Sequence, residues 1–297
     1  MKKHKFITGT VALSAALFMS GCGSDEASSS TQSLSEELEY TITGIEPGAG
    51  LTGLSKTALE EYDQLAGWEL EESSTASMLT ALDDAINKEE PIIVTGWTPH
   101  WMFSAYDLKF LEDPKGSLGG PENVQTIARQ GLKEYMPEAY KILDAFNWEL
   151  EDLQSVMYES QDIPFEEAAQ NWINDNQAKV DQWTEEAEPV DGEKFELVST
   201  PWDSERASAN VLKLVLESQG YDVKVTDVDP AVMFEAIATD GADASIAPWL
   251  PTTHGAFYEK HKDNIDDLGE NLTGAQNGIA VPAYMDIDSI EDLEPKE

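Results

Sequence analysis

The sequence predicts an α/β protein built as two similar lobes around a hinged ligand cleft. Strand–helix–strand–helix–strand runs occur twice, and alternation of that kind argues for parallel sheet. The two runs end in related segments, Trp97-Thr98-Pro99-His100 and Trp249-Leu250-Pro251-Thr252-Thr253-His254, whose tryptophans lie 152 positions apart, about half the chain. A long helical stretch and a late returning strand suggest that the chain crosses between the lobes more than once, which is the wiring of a hinge.

In the first run the chain reads as a strand over 40–45, a helix over 52–64 and a strand beginning at 68–70. A helix over 74–88 follows, with Ser74 or Thr75 as its N-cap, and then a β-branched buried strand over 91–95. The stretch 123–185 reads as mostly helical from Leu132, Met136, Tyr140 and Leu143, then Leu153 and Met157, then Ala168, Ala169, Trp172 and Ile173. The second run gives a strand over 195–199, a helix over 204–218 stopped by Gly220, and a strand over 222–226. It closes with a helix over 230–238 that has Pro230 at its first position and a strand over 244–247. Residues 279–282 form a short strand-like piece. In each half a Trp follows a buried strand, and ligands of open α/β sheets bind at the carboxyl ends of strands.

Residues 1–21 are read as an export signal. Lys2, Lys3 and Lys5 precede an apolar stretch over 6–19, and Ser20-Gly21 precede Cys22, the only cysteine. Small residues before a lone Cys at the end of a signal resemble a lipobox, so Cys22 is the expected lipidation site and membrane anchor. One cysteine forms no intrachain disulfide. Residues 22–37 read as a Ser- and acid-rich flexible tether.

The chain holds 58 acidic and 18 basic residues, and without 1–21 the balance is 58 to 15, a net charge of −43. There is no basic face to neutralise phosphates, so nucleic acid is not an expected partner. Self-repulsion of this size is screened when the Debye length falls to ~3 Å at 1 M salt. The melting temperature is therefore expected to rise between low and molar NaCl; a flat profile would contradict a surface adapted to a saline exterior.

Gly48-Ala49-Gly50-Leu51-Thr52-Gly53 fits G-x-G-x-x-G after a strand, with Glu71 and Glu72 near the end of the next strand. It admits a dinucleotide site, a packing turn, or an anion held on backbone N–H groups at a helix N-terminus. Of eight tryptophans, Trp148, Trp172 and Trp183 sit in helical patterns suited to packing, whereas Trp97, Trp202 and Trp249 each follow a strand. Three rings around one cleft make a box for a cation that donates no hydrogen bonds, a quaternary ammonium above all, at about 0.5–2 kcal/mol per ring. Charge-assisted hydrogen bonds to a carboxylate add about 1.5–3 kcal/mol each, which after ordering costs gives roughly micromolar binding. The four histidines have no zinc-ligand spacing, there is no G-x-S-x-G, and no cysteine nucleophile stands in the mature body. No cofactor, metal or catalytic residue is expected, and nothing requires an enzyme.

At these residues the chain resembles the substrate-binding proteins of glycine betaine/osmoprotectant ABC importers. The resemblance rests on residues 44–50, 96–103, 106–114, 202–205 and 247–254, with 278–282 and 289–293, across nearly the whole mature chain. It implies a type II periplasmic-binding-protein fold with its halves in permuted order, residues 38–118 plus 283–297 forming one lobe and 119–282 the other. It implies that Trp97, Trp202 and Trp249 box the trimethylammonium, while the Gly50 and Leu51 amides and His254 hold the carboxylate. The expected partners are glycine betaine, proline betaine as a second ligand, and an ABC permease with its ATPase; the chain is expected to act as a monomer in osmoprotection. A choline or carnitine receptor, an exported dehydrogenase using the Gly48–Gly53 turn, and a carbohydrate-binding surface protein are the alternatives.

Overall fold

The computed structural model describes residues 33–297. The export signal, Cys22 and residues 22–32 of the tether lie outside the described residues. The last tether residues are not extended linker. Ser33 caps a one-turn helix, α1 (Leu34–Glu37), by a reciprocal box with Glu36. The hydroxyl of the buried Ser35 accepts from the Glu294 amide at 2.9 Å, tying this turn to the C-terminal segment.

The first group of elements is β1 (Thr41–Thr43), α2 (Gly50–Glu61), β2 (Glu69–Glu71), α3 (Thr75–Lys88), β3 (Val94–Thr98), α4 (Met102–Ala105) and β4 (Leu108–Phe110). The second begins with β5 (Glu122–Arg129) and five helices: α5 (Leu132–Tyr135), α6 (Pro137–Ala145), α7 (Leu150–Glu159), α8 (Phe165–Asp175) and α9 (Gln177–Thr184). It continues through β6 (Lys194–Ser199), α10 (Asp203–Ser218), β7 (Asp222–Asp227), α11 (Pro230–Ala238), β8 (Ala244–Ser245), β9 (Trp249–Leu250), α12 (Gly255–His261) and β10 (Ile265–Pro282).

The strands lie in the order β2-β1-β3-β10-β5-β8-β6-β7, with β4 on β10 and β9 on β5. Each βαβαβ run is parallel as expected: β1 pairs β2 and β3, and β6 pairs β7 and β8. The sheet as a whole is mixed, because β5 and β10 run antiparallel to their neighbours. Two expectations are corrected here. Residues 123–129 are strand, not helix, and the short strand at 279–282 is the end of an 18-residue strand. Residues 265–275 of β10 pair with β5, and residues 276–282 pair with β3 and β4. One strand thus joins both groups, and the segment between β4 and β5 is the other crossing.

Two boundaries shift in ways that matter for the site. The helix expected from residue 52 starts at Gly50, and the strand expected over 91–95 runs from Val94 to Thr98, so Trp97 lies inside it. Elsewhere local chemistry holds the ends. Ser74 caps α3 by accepting from the Ser77 amide at 3.1 Å, and Pro230 opens α11 at its first turn. The helices of the second group close over Phe146, Trp148, Trp172 and Trp183, whose rings lie 4.8–5.8 Å from their neighbours. On α10, Val211, Leu212, Val215 and Leu216 form the buried stripe of an amphipathic helix, each contributing about 1.5–3 kcal/mol. This packing fixes the N-terminus of α10, which faces the cleft.

Candidate functional site

All six residues singled out in the sequence line one pocket of about 320 Å³, its mouth included: Trp97, Trp202, Trp249, His254, Gly50 and Leu51. Trp97 sits in β3 opposite Asn277 of β10, and Trp249 sits in β9 opposite Val124 of β5. Trp202 occupies the N-cap position of α10, just beyond Thr200 and Pro201, which follow β6. His254 precedes the first turn of α12. Gly50 and Leu51 are the first residues of α2, where N–H groups have no intrahelical acceptor and Ala49 offers no capping side chain. The echo extends to the backbone, because the Thr98–Pro99 and Leu250–Pro251 peptide bonds are both cis.

The indole N–H groups are tied down around the cleft. Trp202 Nε1 donates to Glu46 at 3.1 Å, and Trp249 Nε1 donates to Glu205 at 2.8 Å. Trp97 Nε1 donates to the Ser204 hydroxyl at 3.3 Å, and that hydroxyl donates to Glu205 at 2.7 Å. Trp101 lies outside the pocket lining but follows the same pattern, donating to Asp203 at 2.9 Å. A ring whose N–H is held cannot turn its face away from a ligand without breaking a hydrogen bond. Half-burial alone would raise the Glu46 carboxyl, but hydrogen bonds from Thr75 and Trp202 outweigh it and hold the pKa below the usual carboxylate value.

His254 is fixed in one tautomer. Its Nδ1 accepts from the Trp249 amide at 2.9 Å, which leaves the proton on Nε2. Burial lowers its pKa to about 3, so the ring is neutral across the physiological range. It is a hydrogen-bond donor without charge. His100 repeats the device in the other half. Its Nδ1 accepts from the Met102 amide at 3.1 Å, and its ring packs edge-on to Trp97 with centroids 4.5 Å apart. His100 has no place in the pocket lining; it backs the Trp97 wall.

Sequence reasoning missed Ile45, Ala49, Glu205, Thr253 and Asn277, which also line the pocket. Thr253 belongs to a buried network centred on Glu122 at the start of β5. Glu122 accepts from the amides of Thr252 at 2.7 Å and Thr253 at 2.8 Å, from the Thr253 hydroxyl, and from Asn277 of β10 at 3.2 Å. One carboxylate thereby pins the segment that carries His254 to both β5 and β10. Of the G-x-G-x-x-G glycines, only Gly50 reaches the pocket. A Cβ at Gly53 would meet nothing within 4 Å, and Glu71 and Glu72 lie away from the site. Among the described residues no group of three or more His, Cys, Asp and Glu is placed to hold a metal ion.

The family model "Substrate binding domain of ABC-type glycine betaine transport system" matches residues 24–175 and 194–297. The glycine betaine/carnitine transport binding protein GbuC of Listeria monocytogenes serotype 1/2a (strain 10403S) is 45% identical over 294 residues, 98% of both chains. Among solved structures, lactococcal OpuAC in its closed, glycine betaine-bound conformation is 53% identical over 49% of this chain and 57% of its own, with a TM-score of 0.48. The glycine/betaine/L-proline-binding protein ProX of Borrelia burgdorferi is 35% identical over 50% of this chain and 57% of its own, with a TM-score of 0.47. Each of these structural matches spans just over half of the solved chain. With most of the chain matched by one family model and 98% of it by one relative, the chain belongs to the family of substrate-binding domains of ABC-type glycine betaine transport systems.

Proposed function

We propose that this protein captures glycine betaine outside the cytoplasm and delivers it to an ABC permease and its ATPase. The observation that carries this reading is the make-up of the pocket lining, which combines three tryptophans with the helix-start residues Gly50 and Leu51 and the neutral His254, whose Nε2 keeps its proton. In this reading the tryptophans take the cation, and the two amides with His254 take the carboxylate. A trimethylammonium group cannot donate hydrogen bonds and is stabilised only by aromatic faces and by charge. A carboxylate takes its hydrogen bonds from uncharged donors here, helped by the positive end of the α2 dipole. Proline betaine has the same two ends. The protein acts as a receptor, not as an enzyme.

Anchoring through Cys22 on the outer face of the cytoplasmic membrane fits this role. Among the described residues no helix is long and apolar enough to cross a membrane. Residues 38–118 plus 283–297 serve as one lobe and 119–282 as the other. The pairing of β10 favours counting 276–282 with the first. The lobes part and close about β10 and the β4–β5 segment, as a monomer.

A thermal-shift panel with glycine betaine, proline betaine, choline, carnitine and ectoine tests the reading. Glycine betaine is expected to give the largest shift, and no response to any quaternary ammonium would defeat the reading. His254→Ala separates the two ends of the pocket. Loss of one charge-assisted hydrogen bond of about 1.5–3 kcal/mol is expected to weaken glycine betaine roughly ten- to hundredfold in calorimetry. Choline has no carboxylate and should be nearly indifferent; equal losses for both ligands would assign His254 a purely structural role.

A further inference from the structure

Among the described residues Glu205 is the only carboxyl group lining the pocket, and it is 5% exposed. It accepts two hydrogen bonds, Oε1 from the Trp249 indole and Oε2 from Ser204 beside it on α10, and Ser204 itself holds the Trp97 indole. No Lys or Arg forms an ion pair with it among the described residues. The groups facing it supply no positive charge. Asp203 on the same helix is of like sign, and His254, the one histidine of the pocket lining, is neutral because burial lowers its pKa to about 3; beyond the lining, Glu46 holds the third tryptophan and His100 is neutral for the same reason. A buried carboxylate between aromatic walls therefore lacks a cation, and the pocket is the open space beside it.

We propose that Glu205 is the counter-charge of the bound quaternary ammonium, protonated in the empty pocket and ionised in the filled one, so that ligand capture expels one proton. This rests on the quaternary-ammonium reading of the pocket and adds to it a role for a residue outside the aromatic box. The exchange balances: the O–H bond of the Glu205 carboxyl breaks, the proton leaves to solvent, and the ligand cation takes its place. The hydrogen-bond wiring permits both states, because the Ser204 hydroxyl accepts from a protonated Glu205 as readily as it donates to an ionised one. Glu205 is also the positioning residue of the box, since both oxygens fix the indoles that face the ligand.

Burial raises the Glu205 pKa to about 7, against the lowering effect of hydrogen bonds from Ser204 and Trp249. The empty pocket in the conformation described thus exchanges this proton near neutrality, and a cation beside the carboxyl favours the charged form. The signs follow. Affinity rises with pH through about 7. The stability contributed by protonated Glu205 in the empty protein is full below the unfolded-state value and falls as pH rises through the folded one.

Calorimetric titration of the wild-type protein with glycine betaine at pH 7, in phosphate and in Tris, measures the proton directly. The expected result is a heat that differs between the buffers by the amount for release of up to one proton, with affinity rising up to about tenfold per unit of pKa displaced between pH 6 and pH 8. Glu205→Gln is expected to abolish both the buffer dependence and the pH slope. Binding at constant affinity with no buffer dependence would overturn the proposal while leaving the betaine reading intact; no binding at any pH would defeat that reading instead. Should Glu205→Gln fail to fold, the wild-type buffer comparison still decides.

Discussion

Replacing Trp249 with Ala is expected to weaken glycine betaine binding by at least thirtyfold, the largest loss among the three box tryptophans. Removing one aromatic face costs about 0.5–2 kcal/mol in cation–π attraction, and the displaced apolar surface costs more at about 25 cal/mol per Å². Trp249 carries a further burden. Its indole is 4% exposed and donates at 2.8 Å to Glu205, so Trp249→Ala also strips one donor from a buried carboxyl. Trp97→Ala should follow, since its N–H reaches Glu205 only through Ser204. Trp202→Ala should cost least, because Trp202 is half-buried and its anchor Glu46 keeps its hydrogen bonds from Thr75. Phe replacements separate ring from N–H: Trp202→Phe should recover most of the affinity and Trp249→Phe only part. Calorimetry below the melting temperature, with circular dichroism to verify folding, gives the ranking. Unchanged affinity in all three Ala variants would show that the rings pack the cleft without holding the ligand.

The tryptophans were legible because their sequence context is local: an apolar run, then Trp, with Pro close by. Elements whose burial is carried by apolar side chains were equally legible, as α3 and α11 show. β5 was not. Its inward positions are Glu122, Val124, Thr126 and Ala128, two of them polar, and Ile127 between them is buried as well, so the period-two pattern that marks a half-buried strand is missing from the residue types. Glu122 is inside because it collects amides from the segment before His254, a contact made across more than a hundred residues. β10 was hidden for a different reason. Its register against β5 is interrupted at three places between Asp267 and Ala275, and each irregularity resets the alternation. Glu205 was one of 58 acidic residues in a position where an acid ordinarily complements a helix dipole. Only the arrival of Trp249 from another strand sets it apart. What escaped the sequence is thus polar burial satisfied by distant partners.

Gly50→Ala is expected to reduce glycine betaine affinity by two orders of magnitude or more while leaving the empty protein as stable as the wild type, or slightly more so. A Cβ at residue 50 would fall 2.4 Å from the Thr253 carbonyl oxygen and 2.6 Å from its Cγ2. Thr253 cannot yield cheaply, because Glu122 and Asn277 hold its amide and hydroxyl. The start of α2 would then be kept from the segment bearing His254, opening the proposed carboxylate end of the pocket to water. In the proposed open form the two segments are expected to part, and Ala in a helix is favoured over Gly by about 1 kcal/mol. Gly53→Ala is the control, since its Cβ would meet nothing within 4 Å and it lies in the same helix. It should gain the same helix stability and keep full affinity. Calorimetry and thermal melts on the two variants read both quantities. Wild-type affinity in Gly50→Ala would show that Thr253 gives way. A lower melting temperature of empty Gly50→Ala would show that the cleft stays closed without ligand. A loss of affinity confined to Gly50→Ala would assign to this glycine the close approach that lets α2 and the His254 segment grip one carboxylate together.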